Sequence, residues 1–90
     1  MDGNKPVNEV EIQIAEIWKS VFDVEEVGRH DNFFDLGGHS LNAIQVVTRL
    51  QDAFRIEITV RTVFDHPTVA ELGERVVEAL MQASSGHSRA

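Results

Sequence analysis

The chain has 90 residues, a formal net charge of −7 and no cysteine. A single domain of this size has a small core, and without a block of lysine and arginine it offers neither nucleic acid nor anionic membrane a basic face; basic protein surfaces suit its charge better. The lack of cysteine excludes a disulfide scaffold, a thiolate nucleophile and a cysteine-held metal.

No secretory signal or membrane-length apolar run is visible, so a cytoplasmic monomer is expected. Met1 and the short polar ends fit a free-standing protein or a cleanly excised domain. Residues 1–7 are polar, contain Pro6 and read as a flexible lead-in to a domain spanning residues 8–82. Asn8 suits a helix cap, with Glu9 and Glu11 in the favourable first turn. Val10, Ile14, Ile17 and Val21, flanked by Trp18, make one helical face that should end near Phe22.

From Asp23 to His39 no period is sustained, and Gly28, Gly37 and Gly38 interrupt the chain. Loops beyond about 12–15 residues are uncommon in small domains and tend to be functional. Val24, Val27, Phe33, Phe34 and Leu36 are expected to pin this one, with at least one of the two adjacent phenylalanines as an anchor.

A second helix is predicted from about Ser40 to Phe54. Ile56 and Ile58 alternate with polar residues, but that run is too short and isolated to build a sheet. Thr59–Asp65 reads as one short helix, ended by Pro67. Thr68 opens the last helix with a capping box to Glu71. Its stripe is Val69, Leu72, Val76 and Leu80, and Gly73 beside it allows close helix approach. From Ala83 the composition turns to Ser, Gly, His and Arg, so residues 83–90 read as a flexible tail. The sum is an all-α four-helix bundle, with three longer helices, one short helix and a long first loop.

The second helix has two apolar stripes. With Ser40 at zero and about 100° per residue, Ala43, Val46, Val47, Leu50 and Phe54 centre roughly 70° to one side. Leu41, Ile44 and Thr48 form a shorter stripe roughly 140° away from the first. A deeply buried helix would need both stripes. A domain with so few helices has little to cover the second, which is therefore expected as an exposed patch beside Ser40.

Ser40 itself admits several chemistries. Asp35, His39 and Ser40 are the residue types of a hydrolytic triad, but adjacent side chains at a helix start diverge. GHSLN also lacks the final glycine and the preceding strand of a nucleophile elbow. LGGHSL has neither the spacing nor the lysine of a phosphate-binding loop. His30, His39, His66 and His87 have no i, i+4 pairing, and DNFFDLGG fails calcium-loop spacing, so no metal site is expected.

A plain helix cap at Ser40 or His39 accounts for the serine, but not for the glycines, the long loop or the second stripe. A covalent attachment point accounts for all four. A helix N-terminus favours an attached phosphodiester, Gly37 and Gly38 leave room for a modifying enzyme, and that enzyme would activate the hydroxyl.

DNFFDLGGHSLNAIQVVTRLQDAF resembles the signature of phosphopantetheine-dependent carrier proteins, most closely the peptidyl carrier (thiolation) domains of nonribosomal peptide synthetases. The resemblance extends from Val10 through IWKSVF, VGRHDNFF and VFDHPTVAEL to Leu80. It implies the four-helix bundle of acyl-carrier type and a non-catalytic role. Ser40 would carry 4′-phosphopantetheine, taken from coenzyme A by a separate, magnesium-using phosphopantetheinyl transferase, and Asp35, Leu36, Gly37, Gly38 and His39 would support the attachment loop. The arm's thiol would hold an aminoacyl or peptidyl thioester, loaded by an adenylation enzyme and used by condensation, tailoring or thioesterase enzymes.

Leu41, Ile44 and either Val63 or Phe64 would form the partner-binding patch, with Phe64 the more buried of the two and Gln45, Thr48 and Arg49 as rim. LGGHS favours the peptidyl type over a polyketide, fatty-acyl or D-alanyl carrier. A helical interaction module with Ser40 as a mere cap is the rival from another class.

Overall fold

The computed structural model describes residues 3–87, with side chains through residue 82. It contains α1 (Glu9–Phe22), α2 (Ser40–Phe54), α3 (Val60–Asp65) and α4 (Val69–His87). Among the described residues there is no strand; an isolated antiparallel bridge joins Asn32 to Thr68.

Three of the four helices start where a side chain accepts an orphan first-turn amide. Asn8 Oδ1 accepts from Glu11 N at 2.8 Å, and Thr59 Oγ1 from Thr62 N at 3.2 Å. Thr68 Oγ1 accepts from Glu71 N at 3.1 Å and donates to the Glu71 carboxylate at 3.2 Å.

Helix α1 packs on α2 and α4, and α3 bridges α2 and α4. Because two helices cover α1, its buried face is centred on Ile14, Ala15 and Trp18. Of the expected stripe Val10, Ile14, Ile17 and Val21, Ile14 is fully buried, while the other three lie at the edges and are only partly buried. Trp18 was expected beside the face but sits at its centre, edge-on to Phe33 with ring centroids 5.7 Å apart. Ile14, Phe33, Leu50, Leu72 and Val76 complete the closed interior. Gly73 lets α1 and α4 meet, since a Cβ there would lie 3.2 Å from Glu11 Cγ. The Ile56–Ile58 connection is not a strand; both isoleucines are buried, and Gln51 Nε2 donates to Ile58 O at 3.0 Å.

A partly buried ion pair, invisible to the apolar pattern, ties the long loop down. Arg29 Nε and Nη2 donate to the two Glu11 carboxylate oxygens at 2.8 Å each, and Val7 N adds a bond at 3.1 Å. The Arg29 backbone donates to Asn4 O at 2.7 Å and accepts from Ala70 N at 2.9 Å. One residue thus joins the lead-in, α1, the loop and α4. The lead-in, expected to be flexible, is tethered through Asn4, whose side chain also bonds His30 N and Asp31; residues 1–2 lie outside the described residues. The expected break at Ala83 falls inside α4, which runs on to His87, and residues 88–90 of that expected tail lie outside the described residues.

The Arg29 hydrogen bond is the main reason that the Glu11 carboxyl is held below its usual value of 4.5, against the opposing pull of burial. A carboxylate depressed on folding stabilises the native state above its unfolded pKa, and that contribution disappears as pH falls through the folded value. Acid titration of Arg29→Met should therefore show a smaller loss of melting temperature below pH 4.5 than the parent chain. Parallel curves would show that the pair contributes nothing to acid lability.

Candidate attachment site at the start of helix α2

The site is built outward from Phe33. Its ring is fully buried, and its N–H donates to Pro67 O at 2.6 Å, clamping the loop to the α3–α4 connection. The chain then curls back on itself: Leu36 N donates to Asn32 O, Gly37 N to Phe34 O and Gly38 N to Phe33 O, at 3.0–3.1 Å. Gly37 takes φ +95°, a left-handed conformation that favours glycine. Gly38 lies directly on the Phe33 ring, where any Cβ would collide with the ring and the Phe33 carbonyl.

These glycines were expected to clear space for a visiting enzyme. Gly38 makes room for the domain's own core; Gly37 permits the turn and is exposed, with nothing within 4 Å of a Cβ placed there. Leu36 packs half-buried against that core.

His39 is the cap of α2, extended at φ −148° and ψ −171°, and Ser40 is the first helical residue. Asn42 Oδ1 accepts from His39 N at 3.1 Å, and Ala43 N closes the first turn on His39 O at 2.9 Å. Ser40 is exposed, and its hydroxyl has no hydrogen-bond partner among the described residues. Asp35 and His39 are exposed too, and no hydrogen bond links either side chain to Ser40. The triad residue types therefore do not assemble. A cavity of about 370 Å³ between the lead-in, α1 and the loop, bounded by Asn4, Ile12, Lys19 and Asp31, shares no residue with this site.

The second stripe of α2 is exposed. Leu41 is 60% and Ile44 52% accessible. Gln45 and Thr48 flank them, with Thr48 Oγ1 bonded to Ile44 O at 2.9 Å. Val63 was expected at this patch, but it is fully buried in the core. Phe64, expected inside, is only half-buried and stacks on Phe34 at 5.7 Å and 28°.

Neighbouring residues on a short helix point about 100° apart, so α3 sends one of the two inward, and the smaller fits. Phe34, 47% exposed, forms a further exposed apolar surface with Phe64, and only half of its signal was visible in the sequence. The two phenylalanines of the Phe-Phe pair sit in the turn that follows Asn32, where Phe34 N donates to Asn32 Oδ1 at 2.8 Å, and there Phe33 is core while Phe34 is exposed. Arg49, expected at the rim, turns to α1 instead and donates to Ser20 Oγ at 2.8 Å.

An exposed, unpartnered serine opening a helix, above a glycine turn, can be reached and modified from outside. The family described as the phosphopantetheine attachment site matches residues 13–76. The chain belongs to that family. The cofactor of this attachment domain is accordingly a covalently bound 4′-phosphopantetheine.

The attachment domain is similar to tyrocidine synthase 3 of Brevibacillus parabrevis, 54% identical over 67 residues, or 74% of this chain and 1% of that protein. It is 52% identical over 69 residues to a linear gramicidin synthase of the same organism, covering 77% of this chain and 1% of that protein. The chain thus spans about 1% of the length of these curated relatives.

In shape it matches a chain in the structure of the phosphopantetheine transferase Sfp with coenzyme A and a peptidyl carrier protein. The TM-score is 0.81 at 36% identity, covering 83% of this chain and 97% of that one. A chain of the Pax NRPS docking-domain complex PaxA T1-CDD/PaxB NDD gives a TM-score of 0.84 at 35% identity, covering 92% and 80%. The all-helical, four-helix architecture is that of these carriers. Among the described residues no helix is long and apolar enough to cross a membrane, and no His, Asp and Glu side chains gather as a metal site.

Proposed function

We propose that residues 8–82 form a peptidyl carrier domain of nonribosomal peptide synthesis, with Ser40 as the residue that bears the arm. The observation that carries this reading is the exposed hydroxyl of Ser40, first in α2 and without a partner of its own. The first-turn amides of α2 have no helical acceptors and face the side from which a phosphate approaches. The relatives named tyrocidine synthase 3 and linear gramicidin synthase and the likeness to a peptidyl carrier protein support the same reading.

In the modification step Ser40 Oγ attacks the phosphorus of coenzyme A that bears the pantetheine. A new O–P bond forms, the bond to the bridging oxygen breaks, adenosine 3′,5′-bisphosphate leaves, and the transferase removes the serine proton. Once attached, the arm supplies the thiol that carries an acyl group as a thioester. The chain itself supplies the anchor and the docking surface and performs no catalysis. Adenylation, condensation, tailoring and thioesterase enzymes are the partners in this proposal, and the cytoplasm is the compartment.

Weak, serial partners suit small apolar surfaces below about 1,200 Å², and Leu41 with Ile44, and the Phe34–Phe64 pair, offer such surfaces. Ile44→Glu should leave melting within about 4 °C of the parent, as an exposed substitution does. Loading by an adenylation enzyme should fall on the order of tenfold, the effect of spoiling a central apolar contact. Loss of helical signal would instead make Ile44 a core residue.

The proposal as a whole is tested by mass spectrometry after incubation with a transferase and coenzyme A, followed by loading with adenylation enzymes and a panel of amino acids. A chain that gains no mass is an interaction module. A chain that gains the arm but accepts only malonyl or fatty-acyl groups is a different class of carrier.

A further inference from the structure

We infer that Asn42 is the positioning residue of the attachment site: by accepting the His39 N–H, its side chain sets the hinge that aims Ser40 Oγ at the modifying enzyme. The inference rests on the Ser40 reading above. Asparagine ordinarily weakens a helix because its side chain competes for backbone hydrogen bonds. At the third position of α2 that tendency serves the helix, since Asn42 Oδ1 accepts the amide of the cap residue at 3.1 Å and supplies one half of a capping box.

The hinge is local. His39 is extended and Ser40 is helical, so the change of conformation falls in the peptide that joins them. Upstream, Gly38 is held by the Phe33 ring and by its bond to Phe33 O. Downstream, the turn is closed by Ala43 N on His39 O. Between these anchors the His39 amide is fixed by Asn42.

Asn42 does not serve the exposed patch directly. At about 100° per residue it lies roughly 160° around the helix from Ser40, and it is half-buried while Leu41 and Ile44 are exposed. Its effect on the reaction therefore passes through the backbone of His39 and Ser40 and not through contact with a partner docked on that patch.

The test compares Asn42→Ala and Asn42→Leu, which lack the acceptor, with Asn42→Asp, which restores it. Ile58→Val is a mild core change away from the hinge. Each is assayed for hydrogen exchange at the His39 amide and for steady-state modification by a phosphopantetheinyl transferase with coenzyme A.

The two acceptor-less variants should exchange the His39 amide about threefold to tenfold faster, the worth of one hydrogen bond. Their kcat should fall by a similar factor, with KM within about twofold, because alignment of the hydroxyl and not docking has been disturbed. Asn42→Asp should recover both readouts, and Ile58→Val should change neither. Parental kcat in both acceptor-less variants would overturn the inference, as would unchanged His39 exchange or an equal loss of kcat in Ile58→Val. If Asn42→Ala fails to fold, Asn42→Leu decides; if both unfold, Asn42 is structural and the inference is wrong. Modification of Ser40→Ala, read separately by mass, would refute the Ser40 reading itself.

Discussion

Ser40→Ala should abolish addition of the phosphopantetheine group completely, while helicity stays at the parental level and the melting temperature moves by no more than about 4 °C. The two halves of this result follow from one fact. The hydroxyl is exposed and bonded to nothing among the described residues, so its removal costs the fold no hydrogen bond and opens no cavity. Alanine is also at least as good a helix former as serine. The reaction has no substitute for that oxygen: no other serine lies in the Asp23–Phe54 region that forms the loop and α2, and Thr48 Oγ1 is engaged with Ile44 O. Intact mass after exposure to transferase and coenzyme A reads the outcome. A variant that still gains the arm would place the attachment elsewhere, and one that melts far below the parent would give Ser40 a structural role.

Val76→Asp should do the opposite and strongly destabilise the fold. Val76 is fully buried on the inner face of α4. A carboxylate there has no partner, and either burying the charge or forcing it to take up a proton costs about 4 kcal/mol or more. A domain of this length has roughly 5–13 kcal/mol of stability in total, and small domains sit at the low end. The melting temperature should drop by on the order of 15–30 °C. Val77→Asp, one residue along at a position 39% exposed, should cost about 1 kcal/mol or less. Thermal circular dichroism separates the pair. Equal melting curves would mean that α4 presents a different face to the bundle.

The adjacent pair Val76 and Val77 also shows how far the apolar period reaches. In α4 and α2 the stripes predict the buried residues closely, because each of these helices has one strongly apolar face and caps that are legible as residue types: Thr68 with Glu71, and the Gly-Gly turn before Ser40. The exposed second stripe of α2 was legible for the same reason. A small bundle cannot cover two faces of every helix, so surplus apolar residues stay outside. In α1 the period pointed to the edge of the buried face, since the bulk of Trp18 and the presence of two covering helices moved its centre.

By itself the sequence determined the helix order, the length of the first loop and most of the core, and it singled out Ser40 as the candidate attachment residue, because period, capping chemistry and the LGGHS string are local properties of the chain. The tertiary structure decided everything that depends on which distant segments meet. It paired Glu11 with Arg29, laid Gly38 on Phe33, sent Val63 inward and left Phe64 to stack on Phe34. A pattern of side chains states which face of an element avoids water. Which partner fills that face is settled by shape and by the pairing of buried charge across the bundle, and neither is written in any one segment.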